Sequence, residues 1–169
     1  MISQRAANLI VCAGFMVILA LIPACGSAPA RTGETSGAVG QQQSPGTDQA
    51  ADRAATIAFR QVGVPYRYGG TDSSGFDCSG LVNYAYGKSG VQLPRTTAGL
   101  WASLRPVEKH DVRRGDIVFF RIEGKIAHVG LYLGAGEFVH APSSGRSVSV
   151  ASMDSAFYRQ AYVRAGRAP

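Results

Sequence analysis

Apolar residues fall along this chain in three regimes. From Leu9 to Ile22 they form one run broken only by Gly14. From residue 26 to about 50 they almost vanish into Gly, Ser, Ala, Thr and Gln, with no aromatic residue. From Ala51 onward they become periodic. Ala54, Ile57, Ala58 and Gln61 recur at helical spacing, which predicts a helix over Ala51 to Val62 stopped by Gly63. Val64-Pro65-Tyr66 reads as extended, and Gly69-Gly70 opens a turn-rich stretch to Gly75. A second helix is predicted with Asp77 as N-cap and Cys78, Leu81, Val82 and Ala85 along one face, ended by Gly87 and Gly90. Thr96 or Thr97 can cap a short third helix through Trp101.

Beyond that point the period shortens to that of strands. Asp116 to Ile122 is β-rich, Ile126 to Leu133 and Glu137 to Ala141 flank Gly134-Ala135-Gly136 as a hairpin, and Ser147 to Ala151 and Ala161 to Arg164 supply the last strands. Helices followed by antiparallel strands make an α+β domain. Strand parity puts His128 on one face with Gly130 and Tyr132, while Val129, Leu131 and Leu133 take the other. A three-residue loop, Leu133-Gly134-Ala135, would set His128 directly opposite His140. A two-residue turn would shift the register by one and part the two rings.

The 169 residues suffice for one domain with extensions. Met1 to Asn8 carries one cation and no acid ahead of the apolar run, and Ile22-Pro23-Ala24-Cys25 follows it, the layout of an export signal. The run is short for a membrane span. The tetrapeptide resembles a bacterial lipobox, so residues 1–24 are expected to be a signal peptide and Cys25 the lipid-modified first residue of the mature chain. Residues 25–50 then form a flexible tether and residues 51–169 the folded domain. Gly26 lacks the aspartate that retains enteric-type lipoproteins in the inner membrane, so the expected location is the outer membrane facing the periplasm. The net charge is +6, with a pI near 9.5. Losing the leader removes only Arg5 and leaves +5, an excess suited to anionic surroundings such as cell-wall carboxylates. The cations are scattered, and no basic block points to nucleic acid.

With Cys12 in the leader and Cys25 lipidated, Cys78 is the one thiol left, so a reactive role leads over an inert buried one. A thiol in the first turn of a helix meets unsatisfied N–H groups and the positive end of the dipole, which favour thiolate. Its own N–H can then point at an oxyanion. Ser79 and Gly80 add little bulk beside the sulfur. His128 would take the thiol proton, and His140 would hold its second ring nitrogen. His110, among charged neighbours, reads as a surface residue. Zinc held by Cys78, His128 and His140 would lack a closely spaced ligand pair, so no metal or other cofactor is expected.

The ordered motifs Gly63-Val64-Pro65-Tyr66-Arg67-Tyr68-Gly69-Gly70, Phe76-Asp77-Cys78-Ser79-Gly80-Leu81-Val82, Leu93-Pro94-Arg95-Thr96-Thr97, Arg114-Gly115-Asp116, His128-Val129-Gly130-Leu131-Tyr132 and Phe138-Val139-His140-Ala141 resemble the NlpC-type cell-wall endopeptidases. These are papain-like cysteine peptidases, and the pattern is most similar to the Spr-type murein endopeptidase lipoproteins. The resemblance implies N-terminal helices, including the nucleophile's, packed on a mostly antiparallel sheet of five or six strands. It implies Cys78 as nucleophile, His128 as base and His140 as orienting residue. It also implies Tyr66 near the oxyanion, Asp77 and Ser79 toward the amine of a stem peptide, and Arg95 as support for the site wall. The function implied is hydrolysis of peptidoglycan amide bonds through a thioester. A wall-binding module without catalysis, and an acyltransferase or amidase using the same thiol, are the alternatives.

Overall fold

The structure, a computed structural model, describes residues 45–169. Residues 1–24, expected to be a signal peptide, and Cys25 lie outside the described residues. Helix α1 (Pro45–Phe59) begins inside the stretch read as tether rather than at Ala51. Pro45 stands in its first turn, where a missing N–H costs nothing, and Asp48 complements the dipole there. The small residues that weakened the sequence signal are what the helix buries: Ala50, Ala51, Ala54, Ala55 and Ala58 all lie inside.

The turn-rich stretch holds a minimal ribbon of β1 (Thr71–Asp72) and β2 (Gly75–Phe76), and α2 (Cys78–Lys88) follows directly. Next come α3 (Thr97–Ser103), β3 (Arg105–Val107), β4 (Ile117–Ile122), β5 (Lys125–Gly134), β6 (Glu137–His140), β7 (Ser149–Ser152), α4 (Ala156–Ala161) and β8 (Tyr162–Arg167). The six longer strands pair in the order β3-β8-β4-β5-β6-β7, antiparallel throughout. The expected α+β class is therefore the observed one. Strand β3 and helix α4 were not expected, because Arg105-Pro106-Val107 is short and interrupted by proline and α4 has only six residues.

The β5–β6 hairpin corrects the expected loop. Tyr132 faces Phe138 and Gly134 faces Glu137, so the turn is the pair Ala135-Gly136. Both residues have positive φ, 51° and 76°, as a two-residue hairpin turn requires. That turn alone would have parted the histidines. The register, however, slips between Tyr132 and Gly134, and the extra residue, Leu133, restores the parity. His128 and His140 share a face after all. With Leu131 opposite Val139, they are offset diagonally instead of directly opposed. A second bulge matters as much: Phe120 faces His128 while Arg121 faces Ile126, leaving Ala127 outside the β4–β5 ladder.

The sheet carries apolar side chains on both faces. On one, Ile117, Phe119, Val129, Leu131 and Val139 pack with Leu81, Val82 and Ala85 of α2, Ala54 and Ala58 of α1, and Leu100 of α3. On the other, Val118, Phe120, Phe138 and Ala165 pack with Met153 and with Tyr158 of α4. Between sheet and helices, the Arg114-Gly115-Asp116 turn is fixed by a buried ion pair. Arg167 Nε and Nη2 each donate to Asp116 at 2.7 Å, and the two side chains are 7% and 2% exposed. Arg113 N–H adds a bond to the same carboxylate, and Tyr86 Oη donates to the Gly115 carbonyl. Removing half of a buried pair strands the other charge. Asp116→Asn is accordingly expected to lower stability by about 3–5 kcal/mol, measured by urea unfolding; a loss below about 1 kcal/mol would contradict that reading of the pair.

Candidate active site

The start of α2 is set by one carboxylate. Asp77 is the N-cap, and its Oδ1 accepts the Gly80 N–H at 2.6 Å. Its Oδ2 accepts the Gly69 N–H at 3.0 Å. Arg95 then closes on both oxygens as a fork, Nη1 to Oδ1 at 3.0 Å and Nη2 to Oδ2 at 2.6 Å, and Nη1 also donates to Ser79 Oγ at 2.9 Å. Burial alone would raise the Asp77 carboxyl, but the Arg95 guanidinium and the Gly80 and Gly69 N–H groups more than offset it and hold the pKa below its ordinary value. Asp77 thus caps the helix and joins it to two loops. The same bonds absorb Ser79. Arg95 supports this wall, as the resemblance implies.

Gly80 has a different reason from the one its small size suggested. A Cβ there would overlap the carbonyl of Gly70, so its absence lets α2 lie against the Gly69-Gly70 turn rather than opening a path to the sulfur. Cys78 then sits half-buried beside strand β5. Its Sγ donates to the carbonyl of Ala127, the bulged residue, at 3.9 Å and lies 3.9 Å from Thr97 Oγ1. Thr96 is the cap of α3, accepting from Gly99 N–H, which leaves the Thr97 hydroxyl for the thiol. These are the sulfur's hydrogen-bond partners among side chains and carbonyls of the described residues. The ring of His128 is not one of them.

His128 and His140 are buried, at 4% and 2% exposure, and joined by a 2.7 Å bond between Nε2 and Nδ1. They stand among the aromatics of the second face: Phe120 lies beside His128, and Phe138 and Tyr158 beside His140. If Nε2 of His128 donates in that bond, its Nδ1 is left as a base; the tautomer follows from this assignment. The sulfur and the imidazole therefore approach β5 at consecutive residues, Ala127 and His128, without a direct bond between them. Catalytic hydrogen bonds are commonly long before substrate arrives.

A cleft of about 520 Å³ opens over the sulfur, lined by Tyr66, Tyr68, Asp77, Cys78, Ser79, Arg95, Thr97 and Ala127 among others. Tyr66 is held through its backbone, its N–H donating to Arg146 O at 2.8 Å, and no described residue bonds its hydroxyl. Burial, followed by the charges of Cys78 and Asp77, raises that phenol above its ordinary value and keeps its proton on. The Cys78 N–H, too, has no acceptor among the described residues.

In the sequence reading, the N–H groups and dipole at the helix start favour thiolate at Cys78. Burial instead pushes the Cys78 thiol upward, although the Thr97 hydroxyl and the N–H groups of Val129 and Ser79 pull the other way. Burial also pushes His128 down to about 4. His140 moves the same way through burial, helped by the positive charge that His128 and Arg146 would present. The resting pair is a neutral thiol and a neutral imidazole. Desolvation outweighs the helix dipole here. Among the sequence-chosen residues, Tyr66, Asp77, Cys78 and Ser79 meet at the cleft and His128 and His140 meet beside it. Thr97 and the Ala127 carbonyl were missed as contacts, since nothing in sequence announces a bulge that aims a carbonyl.

The NlpC/P60 family pattern matches residues 63–167, which span every group just described. The chain belongs to the NlpC/P60 family. Among relatives, murein DD-endopeptidase MepH of Escherichia coli is 38% identical over 115 residues, 64% of this chain and 42% of that protein. The chain spans less than half of MepH. An NlpC/P60 family protein from Bacillus cereus superposes with a TM-score of 0.66 at 32% identity, covering 69% of this chain and 39% of that one. The NlpC/p60 domain of the peptidoglycan hydrolase SagA superposes at 0.62 with 31% identity, covering 70% of this chain and 98% of that one. This NlpC/P60 domain should carry its buried histidines as an acid liability. Both folded-state pKa values lie below the ordinary 6.5, so the unfolded chain binds more protons as pH falls beneath that value. Stability is expected to be full above pH 6.5 and to decline toward pH 4, read as Tm by calorimetry. The decline should flatten in His140→Gln, and an identical slope in that variant would contradict the assignment.

Proposed function

We propose that this domain is a peptidoglycan endopeptidase, hydrolysing amide bonds of stem peptides or their cross-links through a thioester on Cys78. One observation carries the reading: Cys78, the one free thiol among the described residues, lines an open cleft with its sulfur against the Ala127 carbonyl, one residue along β5 from a buried imidazole that is itself bonded to His140. The similarity to a murein DD-endopeptidase and to a peptidoglycan hydrolase supports the same substrate.

Catalysis begins when the thiol leaves the Ala127 carbonyl and gives its proton to His128 Nδ1 as Sγ attacks the scissile carbonyl. The tetrahedral oxyanion is met by the Cys78 N–H and the Tyr66 hydroxyl. Collapse breaks the C–N bond, and the imidazolium returns its proton to the leaving amine. Water, deprotonated by His128, then attacks the thioester carbonyl and releases the acid and the free thiol. His140 fixes the tautomer of His128 throughout. Asp77 and Arg95 hold the nucleophile's helix and shape the acyl side of the cleft. We further propose that residues 1–24 are a cleaved leader and Cys25 a lipid anchor, placing the enzyme at the outer membrane facing the periplasm. The basic surface would then lie among wall carboxylates.

Incubation with purified sacculi and muropeptide analysis tests the reading. Cys78→Ala is expected to lose more than about a thousandfold in kcat/KM while keeping its Tm, His128→Ala to be nearly as severe, and His140→Ala less so. Muropeptide release by Cys78→Ala at the wild-type rate would overturn it. Because burial holds His128 near 4, kcat/KM should stay level from pH 8 to about 5 and halve near pH 4. An acid limb centred at 6.5 would show that the ring is not desolvated in the way described.

A further inference from the structure

The cleft over Cys78 holds only part of what the proposed chemistry needs. The carbonyl carbon must reach the sulfur, and the departing amine must reach the proton on His128. His128 lines a second hollow of about 250 Å³, with Pro142, Arg146, Phe157 and Tyr158. Ala127 lines the first hollow and His128 the second, so the two residues joined by one peptide unit of β5 border one hollow each. A scissile bond across that unit has its acyl half on the Cys78 side and its amine half on the His128 side.

Arg146 is the cation that lines the second hollow beside His128. Its guanidinium is exposed and has no hydrogen bond or ion pair to any described residue. Neither hollow that it lines contains an aspartate or glutamate. Its backbone, by contrast, is pinned on both sides: the N–H donates to Ser143 O at 3.2 Å, and the carbonyl accepts the Tyr66 N–H at 2.8 Å. The neighbouring Ser147 bridges to Pro65. The segment carrying the cation is thus fastened to the segment carrying Tyr66, which fixes the spacing between the halves. Phe157, 57% exposed, adds an apolar wall suited to an aliphatic side chain.

We propose that the hollow beside His128 binds the leaving half of the substrate, and that Arg146 selects a leaving residue bearing a free carboxylate next to the amine it releases. This rests on the reading of the domain as a cysteine peptidase. A carboxylate there would meet a cation with no competing acid among the lining residues and take charge-assisted hydrogen bonds from its fork. Arg146 is a specificity residue and takes no part in proton transfer.

The test uses the full chain and two synthetic peptides with the same acyl half, one ending the leaving residue in its α-carboxylate and the other in the carboxamide. Wild type is expected to favour the carboxylate by about tenfold in kcat/KM. Arg146→Gln should bring the ratio close to one, and Arg146→Lys should leave an intermediate ratio. A ratio that survives Arg146→Gln, or cleavage of both peptides by wild type without discrimination, overturns the subsite and leaves the peptidase reading standing. Failure of wild type to cut either peptide overturns both.

Discussion

The carboxylate of Asp77 is the point on which the site's geometry turns. It accepts two backbone N–H groups and the full fork of Arg95, and so binds the start of α2, the Gly69-Gly70 turn and the segment before α3 into one unit. Cys78 follows immediately, so the sulfur inherits that rigidity. A cap worth about 1 kcal/mol in isolation becomes here a node whose loss would free three walls of the cleft at once. The Gly70–Gly80 contact works to the same end from the backbone side: only a residue without Cβ lets the helix seat so closely.

Two bulges complete the arrangement from the sheet. One, at Leu133, reverses the parity that a two-residue turn imposes and brings the imidazoles within 2.7 Å of each other. The other, at Ala127, turns a carbonyl out of the ladder and against the thiol. Burial then sets the protonation states. Both rings are neutral because a charged imidazole among Phe120, Phe138 and Tyr158 would forgo hydration without gaining a carboxylate partner. In the proposed mechanism, a base that is neutral over the whole physiological range accepts the thiol's proton when substrate displaces the Ala127 contact.

Much of this was legible in the residues. The cap at Asp77, the helix behind Cys78 and the strands bearing His128 and His140 all follow from period and capping chemistry. What escaped did so for physical reasons. The start of α1 was hidden because small residues read as tether until a partner surface shows that they pack. The hairpin register was misjudged because a bulge costs one residue and leaves no mark in composition. The thiol's protonation was misjudged because the dipole is local to the helix while desolvation belongs to the assembled fold.

The central claim is that Cys78 forms a covalent acyl intermediate. Acid quenching of the full chain during turnover of a synthetic stem peptide, followed by proteolysis and mass spectrometry, addresses it directly. The account predicts that the peptide containing Cys78 gains the mass of the acyl fragment, bound as a thioester that hydroxylamine removes. Hydrolysis proceeding at its full rate after Cys78 has been carboxymethylated would contradict it.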